Sequence, residues 1–215
     1  MRRILDTAMA IVTERGFAGL SMSRLADACD YTPGALYRYF SSKDMLLSAL
    51  VERILEEVRE DLAGLTLPGD EPLTRVFLMV LRYRAFARRQ AHKFTLIALS
   101  FAEPELLLTS PEAAEPVVNK MIQTMAPLAE ALAAAAEAGA LDAGDVVERA
   151  LVIFTSTQGI LQMHKQQRVA PGLIDIDRLV NTSTQTLLIG WGASASSVEH
   201  AQQNAATLIA SGDLS

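Results

Sequence analysis

Apolar residues recur at intervals of three and four along most of this chain, and the strict alternation of a half-buried strand is hard to find. Ala, Leu, Glu and Arg dominate those windows, so the pattern predicts an all-α protein of nine to ten helices. Ile4, Ala8, Ile11 and Val12 share one face of a first helix that starts near Arg2, and Arg15-Gly16 supplies a last-turn cation followed by a cap. Ser21 caps a second helix with Met22, Leu25, Ala26 and Cys29 turned inward, which stops at Asp30-Tyr31. A third opens on Thr32 as N-cap with Pro33 at its first position, and Leu36 and Phe40 form its buried stripe. Ser41 with Asp44 resembles a capping box at the head of a long fourth helix. Its stripe of Leu47, Leu50, Val51, Ile54, Leu55 and Val58 persists to about Leu62, until Leu67-Pro68-Gly69-Asp70 breaks it.

That break divides the chain into a head, residues 1–62, and a body, residues 63–215. In the body, Glu71-Pro72 opens a helix to about Gln90, a shorter one covers His92 to Phe101, and Ser110-Pro111-Glu112 begins a long pattern. Proline removes a backbone donor and clashes with the preceding turn. The pattern therefore predicts a helix start near Pro116, a kink near Pro127 and an end at Gly139. Asp142, with Asp145 three further on, is expected to cap a helix reaching about Gln167. Asp175 caps another to about Ile189, and Ser194 to Ile209 forms the last. The body reads as a helical bundle.

Half of the 215 residues are apolar, enough for a buried core without staples. The single cysteine, Cys29, cannot form an internal disulfide, and neither it nor the three histidines show metal-ligand spacing, so no metal or cofactor is expected and a reducing cytoplasm is the natural setting. Asp6 and Glu14 interrupt the apolar stretch after Met1-Arg2-Arg3, and no run of eighteen apolar residues occurs, which argues against a membrane partner. Charge is uneven within the net −6. Residues 1–59 hold eight Lys/Arg against eight Asp/Glu, and residues 60–215 hold eleven against seventeen. An acidic body with a neutral head leaves room for a few placed cations to meet phosphates.

The stretch SMSRLADACDYTPGALYRYFSSK, Ser21 to Lys43, joins two short helices by a tight turn. In a helix-turn-helix the second helix enters the major groove by its N-terminal residues, where small side chains permit close approach. Pro33, Gly34 and Ala35 are small or compact. With Leu36 and Phe40 inward, Gly34, Ala35, Tyr37 and Arg38 turn to the opposite side, where a phenol and a guanidinium meet phosphates or a guanine edge. Thr32, Ser23 and Lys43 are placed to hold phosphates through hydroxyl, backbone N–H and ammonium groups.

TPGALYRYFSSKDMLLSAL, with its Leu36-Tyr37 and Tyr39-Phe40 pairs followed by Lys43-Asp44, resembles the recognition-helix signature of the tetracycline-repressor (TetR) family, a likeness running over about residues 4 to 58. The resemblance implies a helix-turn-helix head joined by the fourth helix to a ligand-binding and dimerisation bundle. It implies base or phosphate contact by Ser23, Thr32, Pro33, Gly34, Ala35, Tyr37, Tyr39 and Lys43, with Arg38 in a more variable slot. Its implied partners are a palindromic double-stranded operator, a small-molecule effector and a second copy of the chain. The dimer would pair the helices at Asp145–Gln167 and Asp175–Ile189, where Ser156 and Gly159 allow close approach. Asp30 stands where glycine is common in the turn, and aspartate tolerates a left-handed backbone better than most residues.

In the body, Val147, Leu151, Phe154, Gln158 and Leu161 share a helix face, and Gln158 is the polar intruder. A buried amide needs partners: a ligand, a neighbouring chain or an ordinary structural hydrogen bond. Tyr83 with Val76 and Val80, Met121 with Met125, and Phe154 together frame a candidate apolar pocket, although each residue also fits ordinary packing. No nucleophile-base pair, paired carboxylates or phosphate-cradling loop is found, so an enzyme is not expected. The remaining alternatives are a DNA-binding regulator without an effector, and a helical carrier or enzyme with a vestigial motif.

Overall fold

A computed structural model describes residues 1–65, 71–102 and 109–211, all helix and connecting turns with no strand among them. The helices are α1 (Arg2–Arg15), α2 (Met22–Ala28), α3 (Pro33–Tyr37), α4 (Lys43–Ala63), α5 (Pro72–Arg89), α6 (Ala91–Ala102), α7 (Pro111–Thr124), α8 (Ala126–Glu137), α9 (Val146–Leu161), α10 (His164–Val169), α11 (Ile176–Gly190) and α12 (Ala195–Ser211). A 3₁₀ turn, Phe17–Gly19, follows α1. The Leu67–Asp70 break lies outside the described residues.

The chain packs as two units that do not follow its order. The first combines Met1–Val58 with Phe86–Thr124, and the second combines Arg59–Ala85 with Met125–Ser215. In the first unit the inward residues of α1 to α4, among them Val12, Leu25, Leu36, Phe40 and Leu50, form one core with Leu96, Ile97 and Val117 of α6 and α7. Thus α6 and α7 complete the core around the N-terminal helices. Lys93 of α6 and Lys120 of α7 reach Glu57 and Glu56 of α4 at 2.6 and 3.2 Å. In the second unit α9 packs on α8 and α11, and α11 on α12. Glu71, before α5, accepts from Thr74 at 2.7 Å and from Asn204 of α12 at 3.0 Å, and these two hydrogen bonds hold its carboxyl below the usual range.

Several boundaries differ from the sequence expectation. The cap of α4 is Ser42, whose hydroxyl accepts from the Met45 N–H at 3.1 Å, and Ser41 is exposed. Asp44 is drawn instead to Thr109, accepting from its N–H at 2.7 Å and its hydroxyl at 2.6 Å. Pro116 does not start a helix. Ser110 does, and Pro116 sits one turn inside α7, where a single intrahelical bond is forfeited close to the end. At Pro127 the helix does not kink but stops and restarts. Met125 is the N-cap of α8, and Pro127 occupies its first turn, where a missing donor costs nothing. Gly139 ends α8 as expected, in the left-handed conformation (φ 70°).

The cap of α9 is Asp145, accepting from Val147 and Glu148 at 2.9 and 3.0 Å, and not Asp142. The Asp142 N–H goes to the Trp191 carbonyl at 2.8 Å, and its carboxylate lies where a Cβ on Gly192 would stand. The helix also breaks at Gln162, before Gln167. Its buried stripe is Ala150, Ile153, Thr157, Gln158 and Leu161, rotated so that Val147 is exposed.

Candidate nucleic-acid interface

Three local devices build the helix-turn-helix of the first unit. The Ser21 hydroxyl accepts from the Arg24 N–H at 3.2 Å, and the Thr32 hydroxyl accepts from the Ala35 N–H at 3.2 Å, so each helix starts on a side-chain cap. Between them Asp30 adopts φ 60°, the left-handed conformation that the sequence reading anticipated for it. The turn closes as a Schellman motif: the Tyr31 N–H donates to the Ala26 carbonyl at 2.9 Å and the Asp30 N–H to the Asp27 carbonyl at 3.2 Å. Arg3 of α1 meets the Asp30 carboxylate at 3.1 Å across the surface.

This turn sets the face that α3 presents. Leu25, Leu36 and Phe40 are buried, whereas Thr32, Pro33, Gly34, Tyr37, Arg38 and Tyr39 are exposed and Ala35 is half-buried. Tyr37 and Tyr39 show 49% and 48% of their surface, a large aromatic area for which the chain's own core has no use. A Cβ on Gly34 would meet nothing within 4 Å, so the protein's own packing does not demand glycine there. Tyr39 lies just past the helix, its N–H on the Leu36 carbonyl at 2.9 Å. Ser23, in the first turn of α2, and Lys43, the first residue of α4, are both exposed.

Two supporting aromatics escaped the sequence reading. Tyr31 stacks on Tyr39, with ring centroids 6.0 Å apart and planes 24° apart. Phe17 lies under the Lys43 ammonium, 4.8 Å from nitrogen to ring centroid, which holds the cation over a fixed surface. For Tyr31 the available signal was an aromatic residue on a turn, where no buried stripe could use it, whereas Phe17 also packs against the core.

In the second unit the candidate effector residues are gathered in part. Tyr83 and Gln158 are 6% and 5% exposed, and the Tyr83 hydroxyl donates to Gln158 Oε1 at 2.6 Å. The Phe154 ring lies 5.7 Å from that of Tyr83, tilted by 45°. Burial pushes the Tyr83 phenol well above its ordinary pKa, so it is a neutral donor throughout the physiological range. The Gln158 Nε2 is buried without a hydrogen-bond partner. Met125 is buried at the head of α8, while Met121 belongs to the first unit and packs against its core. Among the described residues no cluster of His, Cys, Asp or Glu is suited to a metal, and no helix is long and apolar enough to cross a membrane.

Comparison with known proteins bears on this geometry. Residues 4–50 match the profile described as "Bacterial regulatory proteins, tetR family". The repressor KstR of Rhodococcus jostii is 37% identical over 79 residues, covering 37% of this chain and 36% of KstR. The regulator UidR of Escherichia coli K12 is 39% identical over 67 residues, covering 29% of this chain and 34% of UidR. The matches thus span about a third of the length of these relatives. Thermus thermophilus FadR, a transcriptional repressor solved with lauroyl-CoA, superposes with a TM-score of 0.68 at 17% identity over 87% of this chain and 92% of that one, a likeness of fold.

Proposed function

We propose, from the match of residues 4–50 to the tetR family of bacterial regulatory proteins, that this chain is a member of that family: a cytoplasmic, homodimeric transcriptional repressor that binds a palindromic operator and is released from it by a small apolar or amphipathic ligand. The observation that carries the reading is the outward face of α3. A Thr32-capped N-terminus with an open Gly34 is followed by exposed Tyr37, Arg38 and Tyr39, which fits a helix inserted by its first turn into a major groove. In this reading Gly34 and Ala35 let the backbone approach the bases, and Arg38 and Tyr37 meet base edges or phosphates. Ser23, Thr32 and Lys43 fix register on the phosphates.

Residues 1–62 take the DNA-binding role and residues 63–215 effector binding and dimerisation. Support for pairing comes from α9 and α11. Val147 and Ile189 are exposed there, and a Cβ on Gly159 would meet nothing within 4 Å, so a second helix has room to approach. Two-fold symmetry then places two α3 helices on half-sites one helical turn apart or a multiple, roughly 34–36 Å per turn. A ligand releases the operator only by favouring a different spacing, with coupling of about 1–3 kcal/mol. Through α4, which starts at Lys43, the movement would be passed on.

The test is selection of duplexes from a random pool by the purified protein, followed by binding to the enriched site across a salt series for wild type, Tyr37→Ala and Lys43→Ala. An enriched palindrome, bound in a steeply salt-dependent way and more weakly by both variants, is the expected result. No enrichment, with variants indistinguishable from wild type, rejects the reading.

A further inference from the structure

The polar pair inside the second unit narrows what such a ligand must carry. Tyr83 and Gln158 are buried on helices whose other buried residues include Val76 and Val80 on α5 and Ile153 and Leu161 on α9. A separation of 2.6 Å is ordinary for O–H···O and short for N–H···O, so the phenol donates and the amide oxygen accepts. The hydroxyl thereby fixes which way the amide points. Its oxygen is occupied, and its Nε2, with two N–H donors, is buried and unpaired. Buried donors are seldom left so, because the desolvation cost is not returned. Phe154, half-buried and 5.7 Å from Tyr83, adds an aromatic surface beside the amide.

We infer that the effector carries a neutral hydrogen-bond acceptor, a carbonyl oxygen on an apolar frame, which takes its hydrogen bond from Gln158 Nε2 while Tyr83 holds the amide in the donating orientation. A carboxylate is disfavoured, because a buried charge needs a cation and a primary amide supplies only a dipole. The inference rests on the effector reading of the body.

Matched pairs that differ only in the acceptor test it on the full-length protein: acetophenone with ethylbenzene, 2-acetylnaphthalene with 2-ethylnaphthalene, and cyclohexanone with methylcyclohexane, with 2-naphthoate as the charged member. Affinities are read by calorimetry for wild type, Gln158→Leu, Gln158→Met and Tyr83→Phe. At least one ketone should bind wild type about tenfold more tightly than its hydrocarbon partner. In both Gln158 variants that ratio should fall towards one with the hydrocarbon still bound, and Tyr83→Phe, which frees the amide to turn, should give an intermediate ratio. A ketone preference that survives in Gln158→Leu and Gln158→Met, or equal binding of each pair by wild type, overturns the assignment and leaves an effector pocket standing. Tightest binding by 2-naphthoate overturns the neutral-acceptor class. Binding of no probe overturns the inference together with the effector reading, and operator selection, which needs no ligand, then reports on DNA binding by itself.

Discussion

The ring of Tyr31, on the turn between α2 and α3, stacks on the ring of Tyr39 just past the end of α3, with centroids 6.0 Å apart. Neither ring belongs to the core, so the pair braces an exposed side chain against the turn that positions the candidate reading helix. Tyr31→Ala should weaken operator binding roughly threefold to tenfold, the range of an aromatic pair, and Tyr31→Phe should not. Equilibrium binding to the selected duplex measures this, and equal affinity for wild type and Tyr31→Ala would show that Tyr39 needs no brace.

Gly34 separates stability from binding. A methyl group there has free space and removes backbone freedom from the unfolded chain, so Gly34→Ala should raise stability by about 0.4–1 kcal/mol. The same methyl, and more so the side chain of Gly34→Val, stands between the α3 backbone and the groove and should lower operator affinity. Denaturant melts and binding isotherms on the same preparations should therefore move in opposite directions; a parallel change would place Gly34 away from the DNA.

Asp30 holds a left-handed backbone with a side chain attached. Asp30→Gly should be neutral or slightly stabilising, its lost surface contact with Arg3 being worth little, whereas Asp30→Val should cost about 1–2 kcal/mol. Thermal denaturation of wild type and the two variants checks this; an Asp30→Gly protein as destabilised as Asp30→Val would mean that the ion pair matters more than the turn.

The buried phenol of Tyr83 has its pKa raised, so the folded state keeps a proton that the unfolded chain gives up. Stability from this group is complete below the ordinary tyrosine pKa of about 10 and is lost as pH rises beyond it. Urea melts between pH 9 and 11 should show wild type losing stability faster than Tyr83→Phe. Equal slopes would mean that the phenol ionises as readily folded as unfolded.

Gly159 faces open space on α9. Gly159→Arg should leave the helical circular dichroism of the protomer intact while shifting sedimentation from dimer to monomer. An unchanged dimer would move the pairing surface elsewhere.

The N-terminal motif was readable because its determinants are local. Ser21 and Thr32 cap helices through atoms three residues away, and Leu25, Leu36 and Phe40 face inward by helical period alone. The misread positions were settled by distant partners. Asp44 looked like a capping-box residue but is occupied by Thr109, sixty-five residues on, and Asp142 is engaged by Trp191 through its backbone. Met121 and Met125 are one turn apart in sequence, yet the helix stops between them and they enter different units. The polarity of Gln158 was visible in its stripe, but its pairing with Tyr83 across seventy-five residues was not.

Because Leu96, Ile97 and Val117 complete the core around α1 to α4, the first sixty residues leave the ribosome before part of their core has been made. At about 5–20 residues per second, several seconds of synthesis separate the emergence of α3 from that of α7. A nascent chain therefore carries Leu47, Leu50 and Ile54 of that core well before its last contributors, Leu96, Ile97 and Val117, have been made. The same arrangement constrains recombination: a gene fusion cut after residue 62 would carry α3 without Leu96, Ile97 and Val117 of the shared core, while a graft that takes α6 and α7 along would carry both.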